Sequence, residues 1–210
     1  MKRIIGHVLG AAMVVAVIAA PASAQIAGQP VYVNPTMGRG IGINVDYAKG
    51  DQAGSPSSIG GRAVLGLGIV TIGAGAASVS SDNLTESKIG YGGNVSLNLI
   101  NLPMVTIAPF AGFGTISFGN NASQQSIPIG AAVGINPPAI PLSFWAAPRA
   151  DVAVSKVGNT SITSTNFGVS GGVDLTLLMG LGAHLAVDYI SVEGGSVFVW
   201  GIGAHFVFGM

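Results

Sequence analysis

The stretch SVFVWGIGAHFVFGM, residues 196–210, sets large apolar side chains two positions apart. Phe198, Trp200, Ile202, Ala204, Phe206, Phe208 and Met210 share one parity, while Val199, Gly201, Gly203, His205, Val207 and Gly209 share the other. A period of two assigns each set to its own face of an extended chain, so the segment reads as a strand. Its greasier face is too apolar to rest in water and must be buried or meet lipid.

The same alternation recurs upstream. Between residues 89 and 99, Ile89, Tyr91, Gly93, Val95, Leu97 and Leu99 oppose Gly90, Gly92, Asn94, Ser96 and Asn98. Between 167 and 177, Phe167, Val169, Val173, Leu175 and Leu177 oppose Gly168, Ser170, Gly172, Asp174 and Thr176. Ile41, Ile43, Val45 and Tyr47 oppose Gly42, Asn44 and Asp46. Apolar residues on one face and small polar ones on the other are the pattern of a membrane barrel strand. The uncharged run from Ala63 to Ser81 is long enough for a membrane helix, but Gly66, Gly68, Gly73 and Gly75 interrupt it.

Composition agrees. Charged residues make up only 8% of the chain, against roughly a quarter in ordinary soluble domains, and none occurs from Ile89 to Pro148. At the N-terminus, Lys2 and Arg3 precede an apolar run to Ala20, and Ala22-Ser23-Ala24 has the small-residue form of a cleavage site. Residues 1–24 are therefore expected to be a signal peptide cut between Ala24 and Gln25, which implies export. Of eight basic residues, Lys2 and Arg3 fall in this leader, leaving six against eight acidic ones. That balance argues against a nucleic-acid partner. There is no cysteine, so no disulfide framework.

Turn punctuation divides the remainder into ten strands near 38–48, 60–68, 70–79, 89–100, 104–117, 126–135, 143–155, 165–178, 182–192 and 197–208, with eight or twelve as the alternative counts. Links after odd strands are mostly long and polar, and links after even strands mostly short. This matches outer loops and inner turns of an all-β, antiparallel up-and-down transmembrane barrel, with both termini periplasmic. Residues 38–210 are the barrel domain, and residues 25–37 a short periplasmic N-terminal segment. Asp46, Arg62, Arg149, Asp151, Asp174 and Asp188 are the charges within strands, and all take the parity opposite the apolar set. They are expected to form a lumenal ion-pair network, because charges inside a barrel need partners.

Taken together, and most specifically in residues 196–210, the chain resembles the small outer-membrane barrels of the OmpA, OmpX and opacity-protein type. The resemblance implies residence in the outer membrane, contact with its lipid and a structural or surface-interaction role. It also implies that the last strand, carrying Phe198, Trp200, Phe206, Phe208 and Met210, is the signal read by the barrel-assembly machinery. Five hairpins stand where those families typically have four, and Met210 follows two residues beyond the aromatic Phe208. A small pore or transporter is the alternative reading, and an outer-membrane enzyme a distant one.

No cofactor motif is present and no catalytic residues are expected. The last hairpin, with Gly194-Gly195 as its turn, pairs Glu193 with Ser196. Tyr189 then lies opposite Trp200, Asp188 opposite Gly201 and His184 opposite His205, with Thr176 opposite His184 and Asp174 diagonal to it. Asp174, His184 and His205 thereby gather in the lumen near the periplasmic end. They have the donor set for a metal such as zinc, although mutual hydrogen bonding in a narrow polar interior is the plainer account. Phe110 and Trp145 are expected to point inward, to plug the lumen or line a hydrophobic path.

Overall fold

The computed structural model describes residues 25–119 and 121–209. The leader expected over residues 1–24 and the closing Met210 lie outside these. Eleven strands follow in chain order: β1 (Arg39–Gly50), β2 (Ser57–Leu67), β3 (Val70–Ser80), β4 (Lys88–Leu97), β5 (Ile100–Asn101), β6 (Val105–Gly119), β7 (Ala122–Ile135), β8 (Leu142–Val157), β9 (Thr160–Thr176), β10 (Leu181–Val192) and β11 (Gly195–Phe208). β4 and β5 both pair with β6 and are one stave, interrupted at Asn98 and Leu99. Ten staves result. β1 pairs with β2 on one side and β11 on the other, from Ile41↔Phe208 to Gly50↔Val199, and this closes the antiparallel barrel. Closure leaves no free sheet edge.

The alternation read in the sequence becomes the two faces of the wall. Ile41, Ile43, Val45 and Tyr47 point out, while Asn44 and Asp46 are buried. The closing strand behaves alike: Phe198, Trp200, Ile202, Phe206 and Phe208 are exposed, and Val199, Gly201 and His205 face in. Tyr47 meets Trp200 edge-on across the closing seam, with ring centroids 5.9 Å apart.

Two of the long polar links expected after odd strands, Gly119 to Gln125 and Lys156 to Ser164, are largely taken into strands. The β6–β7 and β8–β9 links shrink to tight turns because strand pairing continues upward, as far as Gly119↔Ala122 and Val157↔Thr160. At this end, opposite that where β1 begins and β11 ends, these two hairpins stand taller than the rest of the wall. The end bearing the strand termini is called the terminal end below, and the other the loop end.

Two register expectations need correction. The last hairpin turns on Glu193-Gly194, flanked by Val192↔Gly195, and not on Gly194-Gly195. One residue with positive φ is enough here, and Gly194 supplies it at 85°, so Gly195 joins the ladder. Tyr189 therefore faces Phe198, Asp188 faces Val199, and His184 faces Gly203. On the other side Gly182 faces Thr176, so Asp174 lies directly opposite His184 instead of diagonal to it. Each shift is by two residues, which preserves the face every side chain occupies.

The segment 25–37, expected as a periplasmic extension, lies inside the barrel. It enters through a short turn, Pro35–Met37, capped by Asn34, whose Oδ1 accepts from the Thr36 amide at 2.9 Å. It climbs to Gly28, turns there with φ at 76°, and Gln29 N donates to Ile26 O at 3.0 Å. Ile26, Val31, Tyr32 and Val33 are all buried. Removing such side chains from water stabilises by about 1.5–3 kcal/mol each, which is reason enough for an apolar segment tied to β1 to fold inward.

Candidate functional site

The lumen is built by a repeated exchange of size across neighbouring strands. Wherever a bulky side chain points inward, a glycine tends to stand opposite: His184↔Gly203, His205↔Gly182, Trp145↔Gly172, Arg62↔Gly75, Asn94↔Gly73 and Arg149↔Gly168. A methyl group at Gly172 would fall 2.7 Å from the Trp145 ring, and one at Gly203 would fall 2.6 Å from Asp46 Oδ1. Other glycines clear space for the inserted segment. A methyl group at Gly201 would lie 2.6 Å from Tyr32 Oη, one at Gly90 would lie 2.7 Å from Ala27 Cβ, and one at Gly75 would lie 2.8 Å from Ile26 Cδ1.

The segment is held by few polar contacts and one apolar seat. Ser58 Oγ donates to Gly28 O at 2.7 Å and accepts from Gln29 Nε2 at 2.9 Å, fixing the tip near the loop end. Asp188 accepts from the Val31 backbone, and Asn94 Nδ2 donates to Tyr32 O at 3.4 Å. Val31, Tyr32 and Val33 pack with Phe110, Ala132, Trp145, Ala147 and Ala186. Phe110 and Trp145 thus point inward and seat the segment.

The six charges that the sequence placed within strands all face the lumen, but they divide into two groups. Toward the loop end, Arg149 lies 2.8 Å from both Asp151 and Asp188, with Ser170 Oγ 3.2 Å from Asp188 Oδ1. This group is almost fully buried. Toward the terminal end, Arg62 Nε donates to Asp46 Oδ2 at 2.8 Å, and its guanidinium lies 3.9 Å from the centre of the Tyr32 ring. Asp46 Oδ1 also meets His184 Nε2 at 2.6 Å. His184 Nδ1 lies 3.3 Å from His205 Nδ1, and Asp174, held by a 3.0 Å bond from Trp145 Nε1, faces both. Asp174 belongs with the histidines and with Trp145, not with an arginine ion pair. His184 and His205 meet although they are not opposite, because their imidazoles lean over Gly203 and Gly182.

Below this second group lies a cavity of about 290 Å³. Asn44, Arg62, Asn94, Trp145, Asp174 and His205 are among its lining residues. Sequence reasoning missed both the inserted segment and this chamber. The signal for the first was the apolar run Ile26 to Val33 directly before a glycine-rich barrel.

No family model matches the chain, and no curated protein matches it in sequence. Among solved structures it is similar to the outer membrane protein Ail of Yersinia pestis in a phospholipid nanodisc, at 11% identity over 81% of this chain and 99% of that one, with a TM-score of 0.46. It is also similar to the N-terminal β-barrel domain of Pseudomonas aeruginosa OprF, at 13% identity over 81% and 99%, TM-score 0.38. A third is the translocator domain of the autotransporter NalP from Neisseria meningitidis, at 13% identity over 81% and 89%, TM-score 0.42.

Proposed function

We propose that this chain is an exported outer-membrane barrel whose lumen is closed by its own N-terminal segment, and that it serves the membrane structurally and through its loop-end hairpins. The observation that carries the reading is Tyr32 and its neighbours buried among Phe110 and Trp145 in a glycine-cleared lumen. A wall whose outer face carries Ile43, Val45, Ile59, Phe167, Tyr189 and Trp200 supports lipid as its surroundings, because a charge placed there would cost roughly 2–4 kcal/mol at the midplane. Outward Phe198, Trp200, Phe206 and Phe208 support recognition of the last strand by the assembly machinery. No catalytic step and no nucleic acid form part of this reading.

The test is single-channel conductance in a planar bilayer, comparing the chain from Gln25 onward with one that starts at Gly38. The longer chain should be silent, and the shorter one should give discrete steps. Steady conductance through the longer chain would overturn closure and favour the second reading, a pore for small solutes, which the glycine-lined interior supports.

A further inference from the structure

We propose that His184, His205 and Asp174 form a binding site for a divalent transition-metal ion of the zinc class, open to the terminal-end cavity. Their ligand atoms all lie within 4.8 Å of one another. The two Nδ1 atoms are 3.3 Å apart. Two imidazole nitrogens on one tetrahedral zinc ion, each at about 2.0–2.1 Å, stand about 3.3–3.4 Å from each other, so the spacing already suits such an ion.

The surrounding groups prepare these donors. Asp46 accepts from His184 Nε2, which leaves the Nδ1 lone pair bare and aimed at His205. A carboxylate behind the far nitrogen is the usual second partner of a metal-bound histidine. Trp145 Nε1 occupies Asp174 Oδ2 and leaves Oδ1 as the ligand. With His184 donating from Nε2, the proton between the two Nδ1 atoms is on His205; the ion takes its place as that proton moves to His205 Nε2, which keeps the imidazole neutral.

Charge is compatible as well. Arg62 and Asp46 neutralise each other at 2.8 Å, and Asp174 leaves one negative charge beside two neutral imidazoles. Arg62 Nη2, 3.5 Å from His184 Nε2, is on the side away from the ligand nitrogen. Imidazole donors select zinc, nickel or copper over magnesium or calcium. Three protein ligands leave a fourth position, and both His205 and Asp174 line the cavity that would supply it with water or solute.

Isothermal titration of the refolded chain with zinc chloride tests the site, with circular dichroism to confirm the fold. One equivalent should bind, magnesium should give no heat, and cobalt(II) should show the intense visible bands of a four-coordinate ion. Asp174→Asn keeps the size of the side chain, and His205→Asn leaves the Asp46–His184 bond intact, so both variants should fold. Each should weaken zinc by about tenfold or more, the minimum expected even for loss of an outer-shell partner. Absence of zinc heat and cobalt bands from the folded chain would overturn the proposal. Zinc affinity unchanged from the parent chain in either variant, or magnesium binding as well as zinc, would do the same.

Discussion

The two arginines inside this barrel are set up in opposite ways. Arg149 is sealed between Asp151 and Asp188 with Ser170 alongside, at side-chain exposures of 0–1% for all three charged groups. Arg62 keeps 10% of its side chain exposed, borders the cavity, and shares Asp46 with His184. One site is a closed charge cluster that fills space and ties β8 to β10. The other is a polar chamber wall whose members have coordination capacity to spare. Lumenal charge thus serves packing at one level of the barrel and leaves reactive groups accessible at another.

That contrast fixes the order of the first two outcomes. Arg149→Ala strands two buried carboxylates, and breaking a buried pair from one side costs about 3–5 kcal/mol. Urea unfolding followed by tryptophan fluorescence should show that loss, or the variant should fail to refold. Arg62→Ala leaves Asp46 its bond to His184 and clears a side chain that lines the cavity, so about 1–3 kcal/mol is expected, the cost of an incompletely satisfied polar group. If Arg62→Ala proved the more damaging, the chamber group would be the true structural cluster.

Sequence alone carried the wall further than its contents. Ile41, Ile43, Val45 and Tyr47 against Asn44 and Asp46 declare a strand's two faces locally, and the structure keeps all ten staves with ends moved by a few residues. Register was harder, because a two-residue slip at Glu193-Gly194 leaves every face unchanged and so leaves no trace in the alternation. Asp174, His184 and His205 came together in the lumen despite that slip, since parity alone put them on one face. The inserted segment was hidden for a different reason. Its burial depends on the room left by Gly75, Gly90 and Gly201 on three separate strands, a property of the closed barrel and of no local window.

The segment offers a third outcome, between wall and filling. Gly201→Leu puts a side chain where Tyr32 Oη and Pro30 sit, at 2.6 and 3.1 Å from the new Cβ. Overpacking of this kind costs about 1–3 kcal/mol, and the segment is the part free to leave. The variant should keep its β-sheet circular dichroism and gain conductance steps. Gly195→Ala, with nothing within 4 Å of the new methyl group, serves as the silent control. A silent Gly201→Leu that remains folded would mean the wall yields before the segment does.

The smallest effect belongs to the loop-end surface, where the carboxylate of a charge pair stands in water. Lys88 pairs with Glu86, and its hydrogen bond and charge hold the Glu86 carboxyl below its ordinary range. A lowered carboxyl contributes stability above its unfolded pKa and loses it as pH falls through the folded value. Glu86 is fully exposed, however, so water and salt screen the pair. Glu86→Gln should therefore leave the urea midpoint where it is, at both neutral and mildly acidic pH. A shift approaching that of Arg62→Ala would mean that the 81–87 loop is braced by this pair, and that charge does structural work outside the lumen as well as within it.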